Sequence, residues 1–142
     1  MIEKAIRSIL VADATVTALV GTRIYKDLMP QHPTLPLLVL KKIDKRTGLT
    51  LGRDAAGMNR IRMQVDCWAA DTDGVAGADI VRTLAEAVNG ADNQGPRGPL
   101  HGYHGQSEGV RIKDLVLLVE RATEFEPDTK LHRVSADYEV TL

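Results

Sequence analysis

The chain has 142 residues, a formal net charge of −1 and a single cysteine. This charge balance excludes a uniformly basic nucleic-acid-binding protein, although it allows a local basic patch. One cysteine cannot form an internal disulfide, which favours a reducing compartment, and no apolar run reaches the roughly 18 residues of a membrane span. Aromatic residues make up only 4%, so aliphatic side chains must build the core of what we expect to be one soluble domain, residues 1–142.

The N-terminal part predicts two helices and a short extended segment. Apolar residues recur at helical spacing from Ile2 to Leu10, which predicts an amphipathic helix over residues 2–12. Asp13 is a good N-cap for a short second helix, and Gly21 supplies its left-handed stop. Residues 23–25 predict a short extended segment, and the three prolines between positions 30 and 36 then prevent regular pairing.

Strands dominate the rest of the chain. Residues 37–43 are apolar enough for a central strand, and residues 60–68 alternate, with Ile61, Met63, Val65 and Cys67 on one face. Asp71 or Asp73 is expected to cap a helix that runs to about Val88 and ends at Gly90. Residues 110–123 and 131–142 predict two more strands, joined by a turn at 126–129.

This order of elements predicts an α+β fold. We expect a mainly antiparallel sheet of about four to five strands, with two to three helices packed on one face. Two long loops are predicted at about 44–59 and 91–107, where glycines are frequent and no period is clear.

The residue types that carry chemistry form no recognisable catalytic or metal-binding pattern. The histidines, His32, His101, His104 and His132, are interpreted as solvated loop residues, and Cys67 as a small buried hydrophobe. No serine lies in a nucleophile elbow, and no glycine-rich loop links a strand to a helix start. The sequence therefore predicts no enzyme, no catalytic residue, no metal and no cofactor.

One charged segment stands apart from this pattern. Residues 41–62 include seven basic residues but only two acidic ones, Asp44 and Asp54. The basic residues are Lys41, Lys42, Lys45, Arg46, Arg53, Arg60 and Arg62. Three interpretations stay open: a solvated loop and outward strand face, a surface for a phosphate backbone, or half of an intersubunit contact. In the last case the acidic counter-surface is Glu120, Glu124, Glu126 and Asp128.

Several blocks of the chain resemble the tail-completion, or tail-terminator, proteins of long-tailed bacteriophages and prophages. They are Ala18-Leu-Val-Gly-Thr-Arg-Ile-Tyr25, Pro30-Gln, Leu35-Pro-Leu-Leu-Val-Leu40, Gln64-Val-Asp-Cys-Trp-Ala69, the helix over 78–90 and His132-Arg-Val-Ser-Ala-Asp-Tyr-Glu-Val140. The resemblance implies a structural virion protein that forms a ring, commonly a hexamer, on the finished tail tube. Such a ring would stop polymerisation of the tube protein and offer a docking face to the head connector, while DNA passes through its lumen.

The resemblance also implies partners and a location. The partners are further copies of the chain, the major tail-tube protein and a head connector or head-closure protein, with no membrane. The location is the tail or neck of the virion, after assembly in the host cytoplasm. Two alternatives remain: a head-closure or connector protein of the neck, and a DNA-binding module that uses residues 41–62.

Overall fold

The structure is a computed structural model that describes residues 2–49, 55–93, 95 and 98–142, without the side chains of residues 48–49 and 55–58. It contains three helices: α1 Ile2–Val11, α2 Ala14–Val20 and α3 Gly77–Asn89. Its strands are β1 Ile24–Lys26, β2 Leu37–Leu49, β3 Ala55–Ala69, β4 Gly105–Ser107, β5 Val110–Ile112, β6 Asp114–Glu120, β7 Glu124–Glu126 and β8 Leu131–Thr141.

Six strands form the main sheet, in the order β1-β2-β3-β8-β6, with β7 also paired to β8. All pairs are antiparallel except β1 with β2, and β4 and β5 form a separate hairpin. The predicted α+β class and mainly antiparallel sheet are confirmed. The predicted short extended segment at residues 23–25 corresponds to β1. The strand number is slightly larger than predicted because β7 has only three residues, too few to show an alternating pattern.

The core lies between the three helices and one face of the sheet. Alternate residues of β3, from Ile61 to Ala69, pair with alternate residues of β8, from Val140 to His132. Their apolar members are buried with Ile6 and Leu10 of α1 and Val81, Leu84 and Val88 of α3. The period-two and period-3.6 patterns of the sequence therefore meet in one layer.

Helix α2 confirms the predicted capping. The carboxylate of Asp13 accepts a hydrogen bond from the N–H of Val16 at 3.0 Å, and Gly21 follows with φ 58°. For α3 the predicted cap is wrong, because the helix begins at Gly77 and its N-cap is Ala76. Residues 72 and 75 form an isolated bridge before the helix begins. The carboxylate of Asp71, outside the helix, accepts a hydrogen bond from the N–H of Gly77 at 2.6 Å.

The predicted loop at 44–59 is wrong over most of its length. Residues 44–49 continue β2 and residues 55–59 begin β3, so the two strands form one long hairpin. The side chains of residues 41–47 are all exposed, and a strand solvated on both faces has no hydrophobic alternation to reveal it. Of the predicted loop at 91–107, residues 105–107 form β4, while 91–93, 95 and 98–104 are irregular.

Candidate assembly surfaces

The predicted basic residues gather mainly on the distal half of the β2–β3 hairpin. We define the arm as residues 41–47 of β2 and residues 59–60 of β3. Lys41, Lys42, Lys45 and Arg46 of β2 and Arg60 of β3 are all exposed. None of these five has an ion pair among the described residues. Arg53, the sixth predicted residue, lies outside the described residues.

The register of the hairpin places like charges face to face. Arg46 lies directly opposite Arg60, whereas Asp44 lies opposite Arg62. Like charges directly opposite each other on neighbouring strands are destabilising. The arm therefore carries an electrostatic cost within the folded chain that an anionic partner would relieve.

Arg62, the seventh predicted residue, is held by the sheet. Its Nε and Nη2 donate to one oxygen of Asp137 at 3.0 and 2.6 Å, and Arg121 donates to both Asp137 oxygens at 2.9 and 3.0 Å. The hydrogen bonds and charges of Arg121 and Arg62 hold the pKa of the Asp137 carboxyl below its usual range, against the opposing effect of burial. Arg62 is thus paired within the chain, unlike the five exposed basic residues of the arm.

The cluster of Arg62, Asp137 and Arg121 lies on the face of the sheet opposite the helices, which we call the open face. The outward residues of β3 and β8 define this face: Arg62, Gln64, Asp66, Trp68, Arg133, Ser135, Asp137 and Glu139. Arg133 donates to both oxygens of Asp66 at 3.3 Å and stacks 5.4 Å from the Trp68 ring. Gln64 also donates to Asp66, at 2.8 Å. The strand alternation in the sequence places these residues outward, but the pairing partners depend on a register that local sequence does not encode.

The four predicted acidic residues do not form a single surface. Glu120 accepts from the side-chain amide of Asn89 at 2.6 Å, at the end of α3. Burial raises the pKa of Glu120, the Asn89 hydrogen bond lowers it, and the nearby charges of Asp92 and Glu86 raise it further. Asn89 in turn accepts a hydrogen bond from the buried hydroxyl of Tyr138, so Glu120 terminates a chain of polar groups that reaches the core.

The other three acidic residues lie together at one edge of the sheet. We define the acidic edge as β7 and the following turn, which contain Glu124, Glu126 and Asp128. Between the two glutamates, Phe125 is 53% exposed and its ring lies 4.8 Å from that of His132. This strand pairs only with β8 among the described residues. The acidic edge therefore combines negative charge, an exposed aromatic ring and an outer strand side.

Two other stretches of sheet edge are closed by the chain itself. Along β2, β1 pairs with residues 38–40, and the N–H of Asp27 donates to the carbonyl of Leu40 at 2.8 Å. Along β6, the N–H of Gly102 donates to the carbonyl of Leu115 at 2.7 Å, and His101 Nδ1 accepts from the N–H of Leu117 at 3.0 Å. Closing an edge in this way prevents another strand from adding there.

The structure corrects the interpretation of two histidines. His101 is half-buried and accepts a hydrogen bond at the outer side of β6, and His132 belongs to β8, with its Nε2 3.5 Å from Asp71. Cys67 is fully buried as predicted, and burial raises the pKa of its thiol far above the usual range. Among the described residues, no three His, Cys, Asp or Glu side chains lie close enough to hold a metal ion. No helix in the described part of the chain is long and apolar enough to cross a membrane.

A basic arm, an acidic edge and a polar open face are features of a structural protein that acts through its surfaces. Comparison with known families identifies the family of this protein, because the model of the tail completion protein gp17 family matches residues 4–142. The chain belongs to this family and is a structural component of a phage tail. The family is one of structural proteins, which disfavours enzymatic activity.

Solved structures share the fold. A chain from the virion of a native gene transfer agent particle is similar over 98% of this chain and 92% of its own, with a TM-score of 0.72 and 20% identity. A second solved structure is similar over the same shares of the two chains, with a TM-score of 0.55 and 19% identity. No curated protein matches the chain by sequence.

Proposed function

We propose that this protein is a tail terminator: it forms a ring, with six copies as the expected number, on the end of the finished tail tube. The ring stops addition of further tube protein and presents a docking face to the head connector or head-closure protein. Assembly takes place in the host cytoplasm, and DNA later passes through the lumen. Membership of the tail completion family and likeness to a chain of a phage-like particle support this proposal.

The observation that carries the proposal is the separation of opposite charges onto two parts of one small protein. The arm presents five exposed basic side chains, with Arg46 facing Arg60, while the acidic edge lies on the other side of the sheet. A surface that is complementary to a different surface of the same chain makes head-to-tail contacts, and such contacts generate rings when they close. Opposite charges also favour correct encounter of the subunits.

The test combines mass and activity on the same samples. Light scattering across protein and salt concentration is expected to find a discrete ring of about six protomers that weakens as salt screens the charges. On purified tail tubes, the protein is expected to bind one end and stop elongation. If it forms rings only on tubes, the tube acts as a template, because multivalent binding raises the effective concentration of subunits. Failure to stop elongation in the presence of bound or free protein would contradict the proposal.

A paired variant makes this test specific for the arm. Lys45→Glu/Arg46→Glu reverses two arm charges and is expected to weaken both ring formation and capping. Lys26→Glu/Arg111→Glu is the matched control, since it reverses two exposed basic residues outside the arm. Equal effects of the two double variants would show that net charge, rather than the arm, controls assembly.

The arm also favours a second candidate, a DNA-binding module. Exposed basic residues without described ion pairs are suited to phosphate contacts, and each neutralised phosphate makes affinity fall steeply with salt. Strong, salt-dependent binding of duplex DNA by the isolated protein, lost in Lys45→Glu/Arg46→Glu, would favour this function. A head-closure role would instead appear as tight binding to the connector without any effect on tube elongation.

A further inference from the structure

Residues 41–47 of the arm lie at an edge of the main sheet, and among the described residues their outer side has no strand partner. β1 pairs with residues 38–40 of β2, and no described residue pairs with residues 41–47 on that side. The equivalent side of β6 is closed at Leu115 and Leu117 by the segment around His101 and Gly102. No backbone hydrogen bond between described residues closes the outer side of residues 41–47 or of β7.

Charge decides which strands residues 41–47 can accept. These seven residues carry four basic side chains and one acidic one, Asp44. Two copies of the arm placed edge to edge would bring these basic side chains together, and like charges opposite each other oppose pairing. Lysine on an edge strand is a common barrier to self-association for this reason. A symmetric dimer through the arm is therefore disfavoured.

An acidic strand meets no such barrier, and the chain carries one. Glu124 and Glu126 alternate with Phe125 along β7, and Asp128 follows in the turn. Both strand sides also expose an apolar residue, since Ile43 is 45% exposed on the arm and Phe125 is 53% exposed on β7. Main-chain hydrogen bonds, opposite charge and apolar contact can then act together, as in recognition by strand addition.

We propose that residues 41–47 of one copy accept the acidic edge of a second copy as an added strand. This proposal deepens the proposed function, because it names the two surfaces that join neighbouring subunits of the ring. Within one copy, β3 is antiparallel to both β2 and β8, and β7 is antiparallel to β8, so β7 is antiparallel to β2. In a head-to-tail contact both copies keep the same strand direction, so the added β7 would also run antiparallel to β2. The sheets of neighbouring copies become continuous, and the contact is head-to-tail.

The register predicts a stagger between neighbours. Glu124 lies level with Leu37 across the sheet, through Arg133 and Trp68, whereas the unpaired side of β2 begins four positions later at Lys41. Joining the two places each copy further along the strand direction than the last. In a closed ring this requires strands tilted to the ring axis, as strands are in all closed sheets.

Cross-linking between introduced cysteines tests the contact directly. The native Cys67 is buried, so it stays silent toward a short bis-maleimide reagent. Mixing Ile43→Cys protein with Phe125→Cys protein is expected to give a heterodimer at least about tenfold above the yield of Ile43→Cys alone, because like charges disfavour the symmetric pair. The matched control replaces Phe125→Cys by Leu118→Cys, since Leu118 is 46% exposed but lies in β6, whose edge is partly closed.

Three results would overturn the inference. The first is equal yield with Leu118→Cys and Phe125→Cys, the second is dominant cross-linking of Ile43→Cys with itself, and the third is absence of the heterodimer. The experiment is done both at high protein concentration and on tail tubes, and the third result means absence under both conditions. Tube capping by the wild-type protein is measured in parallel. If the wild-type protein caps tubes but the predicted cross-link is absent, the contact is rejected and the terminator function is kept. If the wild-type protein does not cap tubes, the terminator function itself is rejected.

A charge exchange gives a second, independent readout. Lys41→Glu/Lys45→Glu protein and Glu124→Lys/Glu126→Lys protein are each expected to assemble poorly, because each has two like-charged contact surfaces. Mixed in equal amounts, they are expected to recover assembly, since every contact again joins opposite charges. Recovery that is no better than the mean of the separate variants would contradict pairing between these two surfaces.

Discussion

The two halves of the β2–β3 hairpin are made by the same pair of strands, yet they differ in surroundings and composition. In the proximal half, Leu38 and Leu40 lie opposite Cys67 and Val65, and all four side chains are buried. In the arm, every side chain from 41 to 47 is exposed and five of the described residues are basic. Strand pairing alone therefore does not determine whether the side chains of a hairpin are buried. The half that is covered by helices contributes to the core, and the half that nothing covers is exposed.

The largest expected effect breaks the scaffold half. Leu40 is fully buried in the core, so Leu40→Ala is expected to lower the free energy of unfolding by about 2–5 kcal/mol. Ile43→Ala, three residues further along, is the matched variant in the arm and is expected to cost less than about 1 kcal/mol because the side chain is 45% exposed. Urea denaturation followed by circular dichroism measures both. Equal losses would show that the arm is packed in solution.

The next effect concerns the junction between the two halves, where Asp137 holds Arg62. Asp137→Asn removes a nearly buried carboxylate from two arginines, which costs about 3–5 kcal/mol for a fully buried pair. Since the side chains of Arg62 and Arg121 are 40% and 43% exposed, the expected loss is smaller, about 1–3 kcal/mol. Asp44→Asn in the arm is the control and is expected to change the free energy of unfolding by less than about 0.5 kcal/mol.

The same junction has a predicted pH dependence. The pKa of Asp137 is lower in the folded protein than in the unfolded chain, so the ionised carboxylate stabilises the fold. This contribution is fully present above the unfolded pKa, about 3.9, and is lost as pH falls through the folded pKa. The wild-type protein should therefore lose more stability on acidification than Asp137→Asn. Parallel unfolding curves of the two proteins between neutral and acidic pH would contradict the role of this cluster.

A smaller effect is expected from the polar chain behind the scaffold. Tyr138→Phe removes the hydroxyl that donates to Asn89 at the end of α3, leaving a buried acceptor without its donor. The expected loss is about 1–2 kcal/mol, with faster amide exchange at the end of α3. Tyr103→Phe serves as control, because the Tyr103 hydroxyl makes an exposed hydrogen bond to the carbonyl of Gln106. An equal loss in the control would mean that the buried position adds nothing.

The smallest effect has the opposite sign and lies in the arm. Arg46→Ala removes the charge that faces Arg60, so it is expected to raise the free energy of unfolding by about 0.2–0.5 kcal/mol at low salt. At 1 M salt the gain should disappear, because screening already suppresses the repulsion. Lys45→Ala, whose neighbour across the strands is Ile61, is expected to show a smaller gain. A destabilised Arg46→Ala protein would indicate that Arg46 has a favourable partner in the isolated chain.

The features predicted correctly from the sequence are those that local patterns encode. Helix α1 follows from its apolar spacing, α2 from the Asp13 cap and Gly21, and the inner halves of β3 and β8 from strict alternation. Each of these signals depends on residues close in sequence. The apolar residues recur at regular spacing because only one side of each element is buried. Residues 44–47 gave no such signal, since a strand that is exposed on both faces has no apolar face to bury.

The basic and acidic candidate residues could be found by counting charges, but their arrangement could not. The Arg62–Asp137–Arg121 cluster joins residues 75 and 16 positions apart, and only the register of β3, β8 and β6 brings them together. Likewise, nothing local distinguishes Glu120, which supports Asn89, from Glu124 at the sheet edge. The closure of β6 by His101 depends on the course of the segment before β4, which has no periodic pattern.

Trp68 is the single tryptophan of the chain, and it lies on the open face beside Arg133 rather than in the core. Its fluorescence therefore reports the polarity of that face without any chemical label. A partner or neighbouring subunit that covers the open face should exclude water from the indole and shift its emission to shorter wavelength. Unfolding of the core should alter the indole signal only when the strands of the sheet separate. In the native protein, the same fluorescence signal can therefore follow the docking of a partner onto the open face and its dissociation from that face.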